Sequence, residues 1–134
     1  MMTEPQPVTY FSRLDADECW ALISECEVGR VAWASAEGIS VVPVNFRVVD
    51  GVIVFHTTPE SFLAALEQST DVAFQVDEID PETATGWTVL VRGTSGPADD
   101  GVTSISWLEG GLVLGLAITA STIAGRVVSG TIKS

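Results

Sequence analysis

Two apolar, β-branched runs, Val41-Val42-Pro43-Val44-Asn45-Phe46 and Val52-Ile53-Val54-Phe55-His56-Thr57-Thr58, stand on either side of Asp50-Gly51. This arrangement predicts a β-hairpin, because glycine accepts the positive φ that a type I′ turn requires. Gly29 to Ala34 and Gly38 to Val49 continue the pattern through an Ala36-Glu37-Gly38 turn. With Val52 to Thr57 they predict a meander of antiparallel strands. Pro43 has no N–H to give to a ladder, so it is expected at an edge or a bulge, and bulges often border sites.

Flanking the meander, the period changes. Leu14, Cys19, Leu22, Ile23 and Cys26 recur at helical spacing around Asp15, with Glu18 completing a capping box, so a helix is expected to open there and pack on the sheet. Phe62, Leu63 and Leu66 predict a short helix over Ser61 to Gln68. Val72 to Val76 reads as a strand, Asp77 to Glu82 as a solvated acidic loop, Gly86 to Gly93 as a further strand and Gly96 to Gly101 as a turn. The apolar run from Gly110 to Gly125 is shorter than the roughly 20 residues of a membrane span and rich in Gly, Ser and Thr, so two strands of a barrel wall are expected. Residues 1–12 are expected to be a flexible N-terminal arm, ahead of a single domain over 13–134. Many short strands and few helices predict a mainly β fold, a small antiparallel barrel with flanking helices.

A chain of 134 residues fits one domain and can bury roughly two thirds of its unfolded surface. The formal net charge is −12, with Arg13, Arg30, Arg47, Arg92, Arg126 and Lys133 as the fixed cations. The summed field repels polyanions, which argues against nucleic acid and anionic membrane as partners. Met1 to Pro7 is polar and lacks the apolar stretch of a signal peptide, so a cytoplasmic protein is expected. Cys19 and Cys26 would lie about 10 Å apart along a helix, beyond disulfide reach, and read as core thiols. A single histidine and no CxxC pair give no expectation of a metal site.

From Leu14 to about Arg92 the chain resembles the pyridoxamine 5′-phosphate oxidase-like FMN-binding split-barrel proteins of the short actinobacterial kind. The resemblance runs through Val28-Gly29-Arg30-Val31, Val42-Pro43-Val44-Asn45-Phe46, the strand ending His56-Thr57, Ser61 to Leu66 and Thr85-Gly86-Trp87-Thr88-Val89. It returns at Trp107 and at Ile123-Ala124-Gly125-Arg126-Val127-Val128. The resemblance implies a split β-barrel and a homodimer. It also implies a small-molecule cleft shared between two subunits, holding FMN or, in some branches, deazaflavin F420 or haem-type ligands. Relatives hold the phosphate with basic side chains, and here the sequence departs: Ser61-Phe62 stands where they have a Ser-Lys or Arg-Lys pair, and Leu112 to Ile118 contains no Lys or Arg. Each missing charge-assisted bond is worth about 1.5–3 kcal/mol, so two would weaken phosphate binding by orders of magnitude.

The candidate cofactor-binding residues are Asn45, Phe46, Arg47, His56, Thr57, Thr58, Ser61, Phe62 and Trp87. Arg47 is either a phosphate cation or a surface arginine, since alternation puts it on the face opposite Phe46 and the sequence does not say which face meets the cleft. His56 is a hydrogen-bond partner for a ring, an acid or base, or a solvated strand end. Asn45 can bond a ligand edge or satisfy backbone beside Pro43. Thr57, Thr58 and Ser61 carry hydroxyls that cradle a phosphate or cap the following helix. Trp33, Trp87 and Trp107 are stacking platforms or core and interface residues, with Trp87 matching the family strand. No nucleophile–base pair is visible.

Two functions follow. The first is a flavin-type oxidoreductase acting on a small organic substrate in a dimer-interface cleft. The second is a cofactor-free relative whose apolar cleft, lined by Phe46, Phe55, Phe62, Trp87 and Trp107, binds or cyclises a hydrophobic metabolite. A degenerate interaction subunit is a third, blander reading.

Overall fold

A computed structural model of the chain describes residues 9–98 and 113–130. Strand β1 (Thr9–Leu14) leads into helix α1 (Ala16–Ser24), followed by β2 (Val28–Ser35), β3 (Gly38–Val49) and β4 (Val52–Thr57). A 3-10 helix (Phe62–Glu67) then precedes β5 (Asp71–Asp80), β6 (Thr85–Pro97) and β7 (Leu114–Gly130). The central hairpin forms as its pattern predicts: Asp50 and Gly51 both have positive φ, 50° and 74°, as a type I′ turn needs. Helix α1 is capped as expected, the Asp15 carboxylate accepting from the Glu18 N–H and the Glu18 carboxylate from the Asp15 N–H.

The strand order is β1-β7-β4-β3-β2-β5-β6, with β6 also paired to β7, so β2 to β7 close into an antiparallel ring. Strand β7 makes the closure. It carries β4 along Leu114–Thr119 and β1 along Gly125–Gly130, while β6 pairs with it from Leu116 to Ser129. Arg92 pairs with Thr122 and Gly93 with Ala120, leaving Ser121 as the extra residue of a bulge; its hydroxyl donates to the Arg92 carbonyl at 2.9 Å.

Several expectations are corrected. From Leu114 the run to Gly125 belongs to a single seventeen-residue strand that continues to Gly130, rather than to two strands, because a bulge bends a continuous strand there; residues 110–112 lie outside the described residues. Asp77 to Asp80 belong to β5, paired with Thr88 to Thr85, so the acidic loop is only a tight turn; their carboxylates are exposed and need no loop to reach water. Strand β6 runs on through Gly96 and Pro97, where the sequence predicts a turn; residues 99–101 of that turn lie outside the described residues. Residues 9–12 of the expected arm are in β1, whose pairing with β7 leaves no mark in local periodicity. The predicted second helix is a 3-10 helix of six residues.

The ring is filled by Val31, Trp33, Val44, Phe46, Ile53, Phe55, Phe74, Val76, Val89, Val91, Leu116 and Ile118, with Cys19 and Ile23 of α1 and Leu66 of the 3-10 helix set against them. Both cysteines are free, and Cys19 is fully buried. Burial and the nearby carboxylates of Asp15 and Glu18 push the Cys19 thiol up, so it packs as a neutral, small apolar group. Burial, then Glu78 and Glu25, does the same to Cys26. The helix approaches β7 closely at Gly125, where a Cβ would stand 2.5 Å from the Cys19 Sγ. Gly125→Ala is therefore expected to cost about 1–3 kcal/mol of unfolding free energy. Adding Cys19→Ala should recover part of that loss, giving a non-additive cycle by urea denaturation; strict additivity would show that the sulfur is not what the methyl meets.

Candidate functional site

Beyond the inward-facing pair Phe46–Phe55, β3 and β4 part company. Among the described residues, 38–45 of β3 pair with β2 alone, whereas His56 and Thr57 of β4 pair with Gly115 and Leu114 of β7. The wall therefore opens, with the β3 edge on one side, carrying Pro43, and the end of β4 on the other. Pro43 sits on this one-sided stretch, where its missing N–H breaks no ladder among the described residues. The 3-10 helix that follows β4 packs against β6 and β7, with Leu66 fully buried and Phe62 half-exposed.

Asn45, Arg47 and His56 come together on the outer side of this opening. Alternation settles their faces: Phe46 and Phe55 are buried at 7% and 1% exposure, so the residues on either side of Phe46 and the one following Phe55 point outward. Asn45 and Arg47 are exposed, and Arg47 pairs across to Val54, next but one to His56. The ring of Phe46 is not a cleft residue; it packs edge-on against Phe74 at 4.9 Å in the barrel interior.

His56 Nε2 is sealed from solvent and has no hydrogen-bond partner among the described residues. Leaving such an atom unsatisfied costs about 1–3 kcal/mol. Burial first, then the Arg47 guanidinium, hold the imidazole below its usual value, so it is neutral at physiological pH. The hydroxyls of Thr57 and Ser61 bond to one another across the Thr58 turn, where the Ser61 N–H donates to the Thr58 carbonyl at 3.0 Å. Ser61 thus occupies the cap position without capping, contrary to that alternative, because its hydroxyl is turned to Thr57. Thr58 is exposed beside them. Phe62 is half-exposed and lies against Trp33, ring centroids 5.2 Å apart and tilted by 38°.

Trp87 lies elsewhere. It pairs with Glu78 and Val127 and lines a groove of about 560 Å³ with Leu14, Glu18, Ala21 and Leu22. Val127 is twelve residues along β7 from Gly115, the partner of His56, or roughly 40 Å of extended strand. The apolar cleft expected of a cofactor-free relative is therefore not assembled within one chain: Phe46 and Phe55 fill the barrel, Trp87 is remote, and Trp107 lies outside the described residues.

Sequence reading missed a second grouping. Arg30, Arg92, Arg126 and Arg13 all emerge on the outer face of β2, β6, β7 and β1, in adjoining rows that the registers define: Asp77–Thr88–Arg126–Arg13, then Arg30–Gln75–Leu90–Ala124. Gln75 ties this face together, accepting from Arg30 at 3.4 Å and donating to Asp77 at 2.8 Å and Thr88 at 3.1 Å. Four of the chain's six cations share one face of an acidic protein. Alternation within each strand was the available signal, but only the register sets the strands side by side. No group of three or more metal-ligating residues occurs among the described residues, and none of their helices is long and apolar enough to cross a membrane.

An antiparallel ring that opens between two of its strands defines the split-barrel class. The family described as pyridoxamine 5′-phosphate oxidase matches residues 15–113. The chain belongs to that family. An uncharacterised protein of Mycobacterium tuberculosis is 34% identical over 101 residues, which cover 72% of this chain and 66% of that protein, so the chain spans just under two thirds of its length. An FAD-binding protein of Mycobacterium smegmatis superposes with a TM-score of 0.72 at 26% identity, over 88% of this chain and 98% of that one. An FAD-binding protein of Mesorhizobium loti shares the fold at a TM-score of 0.71 and 21% identity, over 91% and 99% of the two chains.

The lowered His56 value has a sign that can be measured. An unfolded chain takes up the imidazole proton first, so the folded state should lose stability as pH falls through about 6.5, the loss levelling off once the folded imidazole is protonated. His56 is the single histidine, and its NMR titration midpoint should fall below that of a free imidazole. In His56→Gln the acid-side loss between these two values should disappear from denaturation curves.

Proposed function

We propose that the chain is a flavin-dependent oxidoreductase that holds the isoalloxazine ring, or its deazaflavin F420 counterpart, in the opening between β3 and β4. The observation that carries this reading is the buried His56 Nε2, without a hydrogen-bond partner among the described residues, on the same outer face as Asn45 and Arg47. A neutral imidazole nitrogen, the one-sided backbone edge of β3 and an amide offer the hydrogen-bonding partners that a flavin's polar edge needs. Arg47 is the cation for the phosphate end, helped by the hydroxyls of Thr57, Thr58 and Ser61. The FAD-binding relative from M. smegmatis supports the flavin class. When bound, the flavin supplies hydride or single-electron transfer to a small organic substrate, and the protein positions the ring and keeps water from it.

A cytoplasmic homodimer belongs to the same reading. One guanidinium is a meagre counterpart for a phosphate in a chain of net charge −12. The face bearing Arg13, Arg92 and Arg126 supplies the missing positive charge if a second copy lays it over the opening, which no residue of that face reaches easily in its own chain: Arg126 is eleven residues along β7 from Gly115.

The protein purified without added cofactor should carry, or take up on titration, a species with flavin or deazaflavin absorption; failure of riboflavin, FMN, FAD and F420 alike to bind at high concentration would remove the reading. Arg47→Ala should weaken FMN binding about 10- to 100-fold. Arg126→Ala should also weaken it, and a mixed dimer of Arg47→Ala and Arg126→Ala chains should regain one intact site. No recovery in the mixture would put both arginines in one chain's site or neither.

A further inference from the structure

Phe62 stands apart from the other apolar residues of its 3-10 helix. Leu66 is fully buried and Leu63 partly so, whereas the Phe62 ring is 50% exposed. It is not loose, for Trp33 backs it at 5.2 Å and fixes the direction in which its open face looks. Its position is immediately after Ser61, whose hydroxyl is bonded to Thr57 at the end of β4, and Trp33 beneath it pairs with Ser40 of β3, so an ordered aromatic face lies next to residues of both strands that flank the opening. Among the described residues Arg47 is the cation of that opening, in a chain with a net charge of −12.

These features fit one ligand better than its shorter relative. A phosphomonoester such as FMN concentrates close to two negative charges on one phosphorus at neutral pH. The two phosphates of a dinucleotide are diesters with one charge each, and the adenine adds a flat ring that stacks on an aromatic side chain. Resting on the flavin reading above, we infer that Phe62 is a stacking platform for adenine and that the chain selects FAD over FMN. Aromatic stacking takes over part of the work that a cation would do at this position.

The bland alternative is that Phe62 merely shields Trp33, a task leucine performs equally well. Riboflavin, FMN and FAD would be titrated against the wild-type chain and against Phe62→Leu, Phe62→Tyr and Phe62→Lys, with melting curves to confirm folding. The wild type should bind FAD about tenfold or more tighter than FMN. Phe62→Leu should remove that margin while leaving riboflavin affinity in place, Phe62→Tyr should keep it, and Phe62→Lys should turn the preference towards FMN. Equal or tighter binding of FMN by the wild type, or an unchanged FAD margin in Phe62→Leu, overturns the inference while the flavin reading stands. Failure of all three flavins to bind the wild type overturns the inference, and failure of F420 as well overturns both.

Discussion

The structure depends on β7 pairing along both edges. Its seventeen residues hold β6 on one side and, in succession, β4 and β1 on the other. A straight strand of that length would carry its partners away from one another; the extra residue at Ser121 bends it and lets the sheet return on itself. On the opposite wall β3 and β4 separate beyond Phe46 and Phe55. The opening leaves the backbone of β3 over residues 38–45 one-sided among the described residues.

Charge has a similar logic. The chain carries eighteen carboxylate residues against six cations, and acidic groups are scattered over both hairpin ends and helix α1. Placing four arginines on one outer face opposes that background locally, while Arg47 stands on β3 beside the opening. Within one chain the positive face and the unpartnered imidazole are therefore separate features.

Much of the fold was legible from local pattern. The Asp50-Gly51 turn, the Asp15 and Glu18 capping box and the bounds of β3 and β4 follow from rules acting over a few residues, and the structure meets each of them. Errors gathered where pairing at long range overrides composition. The acidic end of β5 looked like a loop, although its side chains have water and its backbone has β6. Strand β1 looked like an arm because its six residues show no period of their own. Among the candidate residues, Asn45, Arg47, His56, Thr57 and Ser61 belong to one hairpin and its exit, whereas Trp87 lies on β6, paired with Val127.

The sequence by itself determined which residues prefer strands, where the hairpin turns, how α1 begins and that the chain would be strongly acidic, because these rest on backbone conformation, short-range capping and composition. The tertiary structure alone decided that Phe46 faces inward and Arg47 outward, that His56 Nε2 is buried without a partner among the described residues, and that Arg13, Arg92 and Arg126 share a face. The physical reason is register. A shift of one residue exchanges the two faces of a strand, and register is set by partners dozens of positions away and by a single bulge, not by the residues whose side chains it aims.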